Sequence, residues 1–298
     1  SSIHHVFDAA CSLAEKRGLR VTGSELVGLV PLDAIISAGK YYLRKQNASE
    51  GVPEKDIIDC AIQSLGLNDL KPFDPQKKII EYAISKEKNK LVDLSVYDLL
   101  NEVSRKSPAP GGGSVSALLG SNGASLCSMV ALLTYYKKDF FDLREKMNEF
   151  GKKAQHLKDE LIELIDEDTR AFNTLLNANK LTAVNGKELK AKKEAIKNAN
   201  ELVFQTPYRI ACLCSEVVTL CSELSISGNP NSISDIGVAV ESAYAGFKGA
   251  LLNVLINMPL IENKKLKNMI NDDLKIKKSN IEKSYKSAID EINKVMNP

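Results

Sequence analysis

Apolar residues recur at helical spacing along most of the chain. From Ile3 to Arg17 they stand at Ile3, Val6, Phe7, Ala10, Leu13 and Ala14, one face of a helix, with Gly18 behind them as a C-cap. Leu19 to Val30 is rich in β-formers and stops at Pro31, which predicts a strand. Helical spacing returns over 32–45 and 53–65, and KKIIEYAI at 77–84 predicts a second short strand. Ser85 to Lys90 is charged and reads as a linker. Beyond it the pattern is helical to the end. Ser95, with Asp98 three residues on, predicts the N-cap of a short helix whose apolar face is Val96, Leu99, Leu100 and Val103. Residues 111–136, 139–177, 187–224, 232–257 and 266–295 predict five more helices, with Pro207 kinking the third of these. The expected fold class is mainly α. An all-α helical bundle at 92–298 follows a small α/β unit at 1–84, with a linker at 85–91.

Three details of this pattern carry chemistry. The helix over 139–177 steps inward by threes and fours through Phe140, Leu143, Met147, Phe150, Ala154, Leu157, Leu161, Leu164, Asp168, Ala171 and Leu175. This is a heptad seam in which one core position is a carboxylate. Burial raises the pKa of an Asp toward the range useful for acid/base work. A structural carboxylate, capping a neighbouring helix or paired with a Lys, fits the seam equally well. Asp166 and Glu167 fall off the seam and are expected in solvent.

The second detail is the run Gly111, Gly112, Gly113, Ser114, opening an uncharged helix. Glycines there let backbone N–H groups reach a ligand, and the helix dipole favours an anion, although a hinge has the same composition. The run is neither GxxxxGK[ST] nor a GxGxxG after a strand, so nucleotide binding is not indicated. Within that helix Ser116, Gly120, Ala124 and Ser128 form a smooth stripe for close helix approach.

The third is GNPNSISD at 228–235. Asn231 or Ser232 is the expected N-cap of the next helix, and Asp235 lies in its first turn. One face of that helix continues through Ala239, Ser242, Gly246, Gly249, Asn253 and Asn257. Small and polar throughout, it predicts either a polar cleft or a close, hydrogen-bonded helix contact.

Composition narrows the field further. The 298 residues are 44% hydrophobic and 26% charged, ordinary for a globular protein. Forty basic against 38 acidic residues, net +2, give no electrostatic case for nucleic acid or an anionic membrane surface. The six Cys lie among helix-forming residues with no CxxC pair, which reads as buried reduced thiols and a cytoplasmic setting. Pro108 to Tyr136 carries no charge and is long enough to span a bilayer. Its glycines, serines and Asn122 make it a core helix instead, so no membrane span is expected. The N-terminus has neither secretory-signal regions nor an initiator Met, and the chain reads as a piece of a longer protein. No metal-ligand cluster is visible. His4, His5 and His156 are poorly placed as catalytic bases, and Lys264 to Lys286 is a solvated face with interleaved acids.

At the same residues a resemblance becomes clear. SPAPGGGSVSALLGSNGASLCSMVALLTY (107–135), LIDEDTRAF (164–172), GNPNSISDIGVA (228–239) and NVLIN (253–257) resemble the cyclodeaminase/cyclohydrolase family of folate enzymes. LRVTGSELVGLVPLDAII (19–36), GVPEKDIIDCAIQSLGL (51–67) and PFDPQKKIIEYAI (72–84) are similar to the end of a formiminotransferase domain. In this order the two parts resemble the bifunctional formiminotransferase-cyclodeaminases of histidine breakdown. The resemblance implies a cyclodeaminase-like bundle behind a ferredoxin-like α/β remnant. The transferase's catalytic His and most of its folate contacts would precede this part, leaving the remnant inactive alone. It further implies a tetrahydrofolate derivative as substrate and carrier, possibly polyglutamylated, no metal, and a homo-oligomer.

In the family's V-D-x-D-A-x-A-F motif the second Asp aligns with Asp168, making it the catalytic residue. Asp235, Asn253 and Asn257 would bind the pterin edge or the adduct. Gly111, Gly112, Gly113 and Ser114 would receive a folate carboxylate. Tyr136, where animal members tend to have Gly, would alter a pocket edge. The implied activity is formimidoyltetrahydrofolate cyclodeaminase. A methenyltetrahydrofolate cyclohydrolase and a non-catalytic folate-binding scaffold are the alternatives.

Overall fold

The computed structural model describes residues 2–84 and 90–297, so most of the expected linker lies outside the described residues. The chain divides into two compact units, residues 1–88 and 89–298. Helix formers at amphipathic spacing dominate both.

In the first unit, α1 (Ile3–Glu15), α2 (Leu32–Lys45) and α3 (Glu54–Ser64) surround a core of Val30, Ile35, Ala38, Tyr42, Ile58, Ala61, Ile62, Leu65 and Ile79. Asp8 of α1 accepts hydrogen bonds from Tyr41 (2.6 Å), Tyr42 (3.1 Å) and Lys45 (2.8 Å) of α2, tying the two helices together. The two expected strands do not form. Leu19 to Val30 turns its backbone to the end of α3, where Ser24 N–H donates to the Gly66 carbonyl (3.1 Å) and Ser24 Oγ to that of Leu65 (2.6 Å). Residues 77–84 instead belong to α4 (Pro75–Lys78) and α5 (Ile80–Ile84), because Asp74 caps a turn that starts at Pro75. Among the described residues, β pairing is reduced to one parallel bridge between Val30 and Ile79. The α/β character expected of this unit is therefore not seen.

The second unit is the helical bundle. Its first helix, α6 (Val96–Ser104), is capped as expected: Ser95 Oγ accepts from Asp98 N–H (3.1 Å) and donates to the Asp98 carboxylate (2.6 Å). The uncharged α7 (Gly112–Tyr135) runs through the middle, packed against α8 (Arg144–Lys180), α9 (Gly186–Ser227) and α10 (Ile233–Asn257). α11 (Lys264–Met296) covers α9 and α10. Both α7 and α9 are long and apolar enough to cross a membrane, but half or more of the apolar stretch in each is buried within the unit.

The smooth stripes of α7 and α10 meet each other. A Cβ built on Gly246 would overlap the Ser116 carbonyl, so only Gly permits this approach. Ser242 Oγ donates to the Leu119 carbonyl across the same contact (2.9 Å). The polar face of α10 is thus largely a helix contact.

Other boundaries differ for identifiable reasons. Residues 138–143 form a 3₁₀ segment with Phe140 outside helical geometry (φ −116°, ψ 25°), so the α8 seam begins at Met147. Ser232 is the N-cap residue of α10, as expected, although its side chain makes no capping bond; Asn229 caps the 3₁₀ turn just before it, accepting from Asn231 N–H. Cys127, Cys214 and Cys221 are buried free thiols, whereas Cys11, Cys60 and Cys212 are only half-buried.

α9 continues as a single helix through Pro207, with no break at the expected kink. Pro207 has no N–H to give the Val203 carbonyl one turn back. Asn257 Nδ2 donates to that carbonyl instead (2.8 Å), so the freed acceptor is satisfied from α10.

Candidate functional site

The N-terminus of α7 sets the geometry. The turn through Pro108 and Ala109 delivers Gly111 as N-cap, and the glycines behind it carry no side chains to fill the space in front of the helix. α8 brings Asp168 and Phe172 to this point, α9 brings Val203, and α10 brings Asn253, Ile256 and Asn257. Together they line a cavity of about 230 Å³ with Gly111, Gly112 and Gly113.

Asp168 is the one titratable residue in this lining. Its Oδ2 accepts from Ser114 N–H (2.9 Å) and lies 3.2 Å from Ser114 Oγ. Burial pushes the carboxyl above the usual carboxylate range, while the Ser114 hydroxyl and N–H pull it back. A Cβ on Gly113 would overlap the Asp168 carboxylate, so the glycine is what lets the acid sit against the start of α7. The helix dipole there stabilises negative charge on it.

Chemically, this is a half-buried carboxyl beside a small cavity, held on one oxygen by the Ser114 donors. It can remove a proton from a bound molecule and return it elsewhere. Asn253 gives an N–H to the Gly249 carbonyl (2.9 Å) and Asn257 one to Val203, which leaves each carboxamide oxygen as an acceptor.

The structure therefore brings together Asp168, Gly111, Gly112, Gly113, Asn253 and Asn257. It separates two other residues. Asp235 is half-buried in the first turn of α10, eighteen residues before Asn253, or about 27 Å at 1.5 Å per residue. Helical period puts residues on one face but says nothing of their height along the axis. Tyr136 follows the C-terminal end of α7, so its bulk does not border this cavity.

Ser114 is also recast. Its N–H, expected to meet a ligand carboxylate, is already taken by the carboxylate of Asp168.

The comparisons with known proteins match both parts of the chain. The family model described as Formiminotransferase-cyclodeaminase matches residues 95–276, and the Formiminotransferase domain model matches residues 1–85. This chain belongs to the formiminotransferase-cyclodeaminase family. A mouse formimidoyltransferase-cyclodeaminase is 35% identical over 260 residues, covering 87% of this chain and 48% of the mouse protein. The chicken formimidoyltransferase-cyclodeaminase is 33% identical over 267 residues, 89% and 49% of the two chains. A methenyltetrahydrofolate cyclohydrolase of Methylorubrum extorquens is 34% identical over 163 residues, 55% of this chain and 78% of that one. The formiminotetrahydrofolate cyclodeaminase structure from Thermotoga maritima superposes with a TM-score of 0.62 at 24% identity. That superposition covers 68% of this chain and 98% of the other, and it shows the shared fold. The chain spans about half the length of the curated formimidoyltransferase-cyclodeaminases it matches.

Three features of this chain escape sequence reasoning. Phe172 lines the cavity one turn beyond Asp168, a spacing that could have marked it. Val203 lines it one turn before Pro207, and the proline is the signal that its carbonyl is freed from the helix ladder.

Asp166 is the third. Expected in solvent, it is 9% exposed and accepts from Leu91 N–H (2.7 Å) and Val92 N–H (3.4 Å), fastening the entry segment to α8. The heptad reports only the face of α8 turned to the bundle, not the face covered by residues 91–93. Asp166→Ala should therefore destabilise the protein by about 1–3 kcal/mol in denaturant melts, the cost of unsatisfied buried donors. Turnover per folded molecule should stay within about twofold of the parent, since the side chain does not reach the cavity.

Proposed function

We propose that this chain is a formimidoyltetrahydrofolate cyclodeaminase, converting 5-formiminotetrahydrofolate to 5,10-methenyltetrahydrofolate and ammonia. The observation that carries this reading is the half-buried Asp168 carboxyl, raised in pKa and set beside a cavity lined by no other titratable group.

The reaction needs one proton moved between two nitrogens. The anilino nitrogen of the folate attacks the carbon of the protonated formimino group and becomes cationic, while the former imino nitrogen becomes a neutral amino group. Ionised Asp168 takes its proton, leaving a neutral tetrahedral adduct. Protonated Asp168 then gives that proton to the amino group, whose bond to carbon breaks as ammonia departs. The methenyl cation remains, and the carboxylate is regenerated. A carboxyl whose pKa is raised toward the working pH serves in both directions, a contribution typically of about 10²–10⁴ in rate. The acceptor oxygens of Asn253 and Asn257 suit the N–H edge of a pterin. The match of residues 1–85 to a formiminotransferase model favours this substrate, because such a transferase makes the formimino folate.

One specific observation favours a second reading. The likeness to the M. extorquens methenyltetrahydrofolate cyclohydrolase spans 78% of that protein. In that reaction water takes the place of the formimino nitrogen at the same carbon.

Presenting the purified protein with each folate separately distinguishes the readings. Ammonia release from the formimino folate at a rate well above methenyl hydrolysis supports the deaminase. Methenyl hydrolysis alone supports the cyclohydrolase, and folate binding without either reaction would reject catalysis.

A further inference from the structure

The Ser114 hydroxyl has one hydrogen and three partners. Its Oγ lies 2.8 Å from the Ile165 carbonyl, 3.2 Å from Asp168 Oδ2 and 3.2 Å from Thr169 Oγ1. Ser114 is 3% exposed, so bulk water does not compete for these positions. The backbone N–H of the same residue stays on Oδ2 in either charge state, because an amide N–H only donates. That fixed bond leaves Oδ1 as the oxygen that carries the proton, on the side that Gly113 keeps open.

We infer that Ser114 is a positioning residue for Asp168, its hydroxyl turning toward the carboxylate when Asp168 is ionised and back to the Ile165 carbonyl when it is protonated. This rests on the reading of Asp168 as the proton carrier. When the acid is charged, Oδ2 receives two donors, and charge-assisted bonds are the stronger kind. When the acid is neutral, the hydroxyl hydrogen goes to the shorter contact with Ile165, and Thr169 donates to Ser114 Oγ. The number of donors on the acid thus follows its charge without any backbone movement. Such a device lets one half-buried carboxyl pass through both protonation states at little reorganisation cost.

No other titratable group does this work. The cavity faces of α7, α9 and α10 contribute none. On α8, Glu167 is paired with Arg209 of α9 (3.1 Å), Arg170 is exposed, and Asp166 is bonded to Leu91 and Val92.

The test is Ser114→Ala, which removes the hydroxyl and keeps the backbone N–H. It is read as the pH profile of kcat/KM on 5-formiminotetrahydrofolate beside the parent and Asp168→Asn. The parent should lose activity as pH falls through the Asp168 titration, because the first step needs the carboxylate. With one donor gone, the charged form is less favoured, so this acid limb should move to higher pH. Turnover at a pH on the limb should fall about tenfold, with KM little changed.

A merely structural Ser114, tying α7 to the Ile165 carbonyl, predicts a lower Tm with the limb unmoved, and that result overturns the inference. A limb that is absent from the parent, or persists in Asp168→Asn, rejects the Asp168 reading instead. If Ser114→Ala does not fold, Ser114→Cys, a weaker donor of similar size, should shift the limb in the same direction. An unmoved limb in a folded Cys variant would also refute the proposal.

Discussion

Asp168→Asn is expected to lower cyclodeaminase turnover at least about 100-fold, the lower end for general acid–base catalysis, while folate binding survives. The amide keeps the shape of the carboxyl, and its oxygen can still accept from Ser114 N–H, but it carries no proton between nitrogens. The same variant should melt no lower than the parent at pH 7, and higher if the burial cost is large. Burial raises the folded-state pKa of Asp168. A group raised in this way contributes stability below its unfolded pKa and loses that contribution as pH rises through the folded value. At pH 7 the ionised, half-buried acid is therefore a cost that the amide removes. The difference in Tm should shrink as pH falls below about 3, where Asp is protonated in both states. A structural carboxylate predicts the opposite: a lower Tm at pH 7, with activity falling only as far as the folded fraction does.

Gly113→Ala should give the second large effect. Ala ordinarily strengthens a helix relative to Gly by roughly 0.5–1 kcal/mol. At position 113, however, the new methyl would occupy the place of the Asp168 carboxylate, and neither backbone can give way easily inside the α7–α8 contact. Overpacking of this kind costs about 1–3 kcal/mol, so the net change should be a lower Tm. Pushing the acid aside should reduce turnover about 100-fold, the scale of a 1 Å misplacement. Gly186→Ala is the matched control. It also lies in the first turn of a helix, but its Cβ meets open space, so turnover should not change. Normal turnover in a folded Gly113→Ala protein would show that the placement of the carboxylate does not govern the chemistry.

Much of the bundle was legible because its signals are local. Period, the Ser95 cap and the stepping of α8 all act within a few residues, and they placed six helices and turned Asp168 inward. The misreadings arise where two distant segments meet. Asp166 looked solvated because nothing in α8 announces that residues 91–93 will lie on it. Asp235 shares a face with Asn253 but not a height, and the helical period cannot distinguish the two. Pro207 signalled a kink, yet its freed carbonyl is satisfied by Asn257 from another helix fifty residues on. Leu19 to Val30 has strand-forming residues, but Ser24 ties it to the end of α3, and its β pairing among the described residues is the single bridge from Val30 to Ile79. The Gly-rich entry of α7 was recognised as a place for an anion. That the anion is the protein's own Asp168 required the approach of α8.

The most direct test of the central claim is the stoichiometry of a single turnover. Purified protein in excess over 5-formiminotetrahydrofolate is followed for ammonia and for methenyl absorbance in the same reaction. One ammonia should appear with each methenylfolate, in step with it, and both should slow together by at least about 100-fold in the Asp168→Asn protein. Folate that binds without releasing ammonia, or release that is as fast in Asp168→Asn as in the parent, would contradict the account.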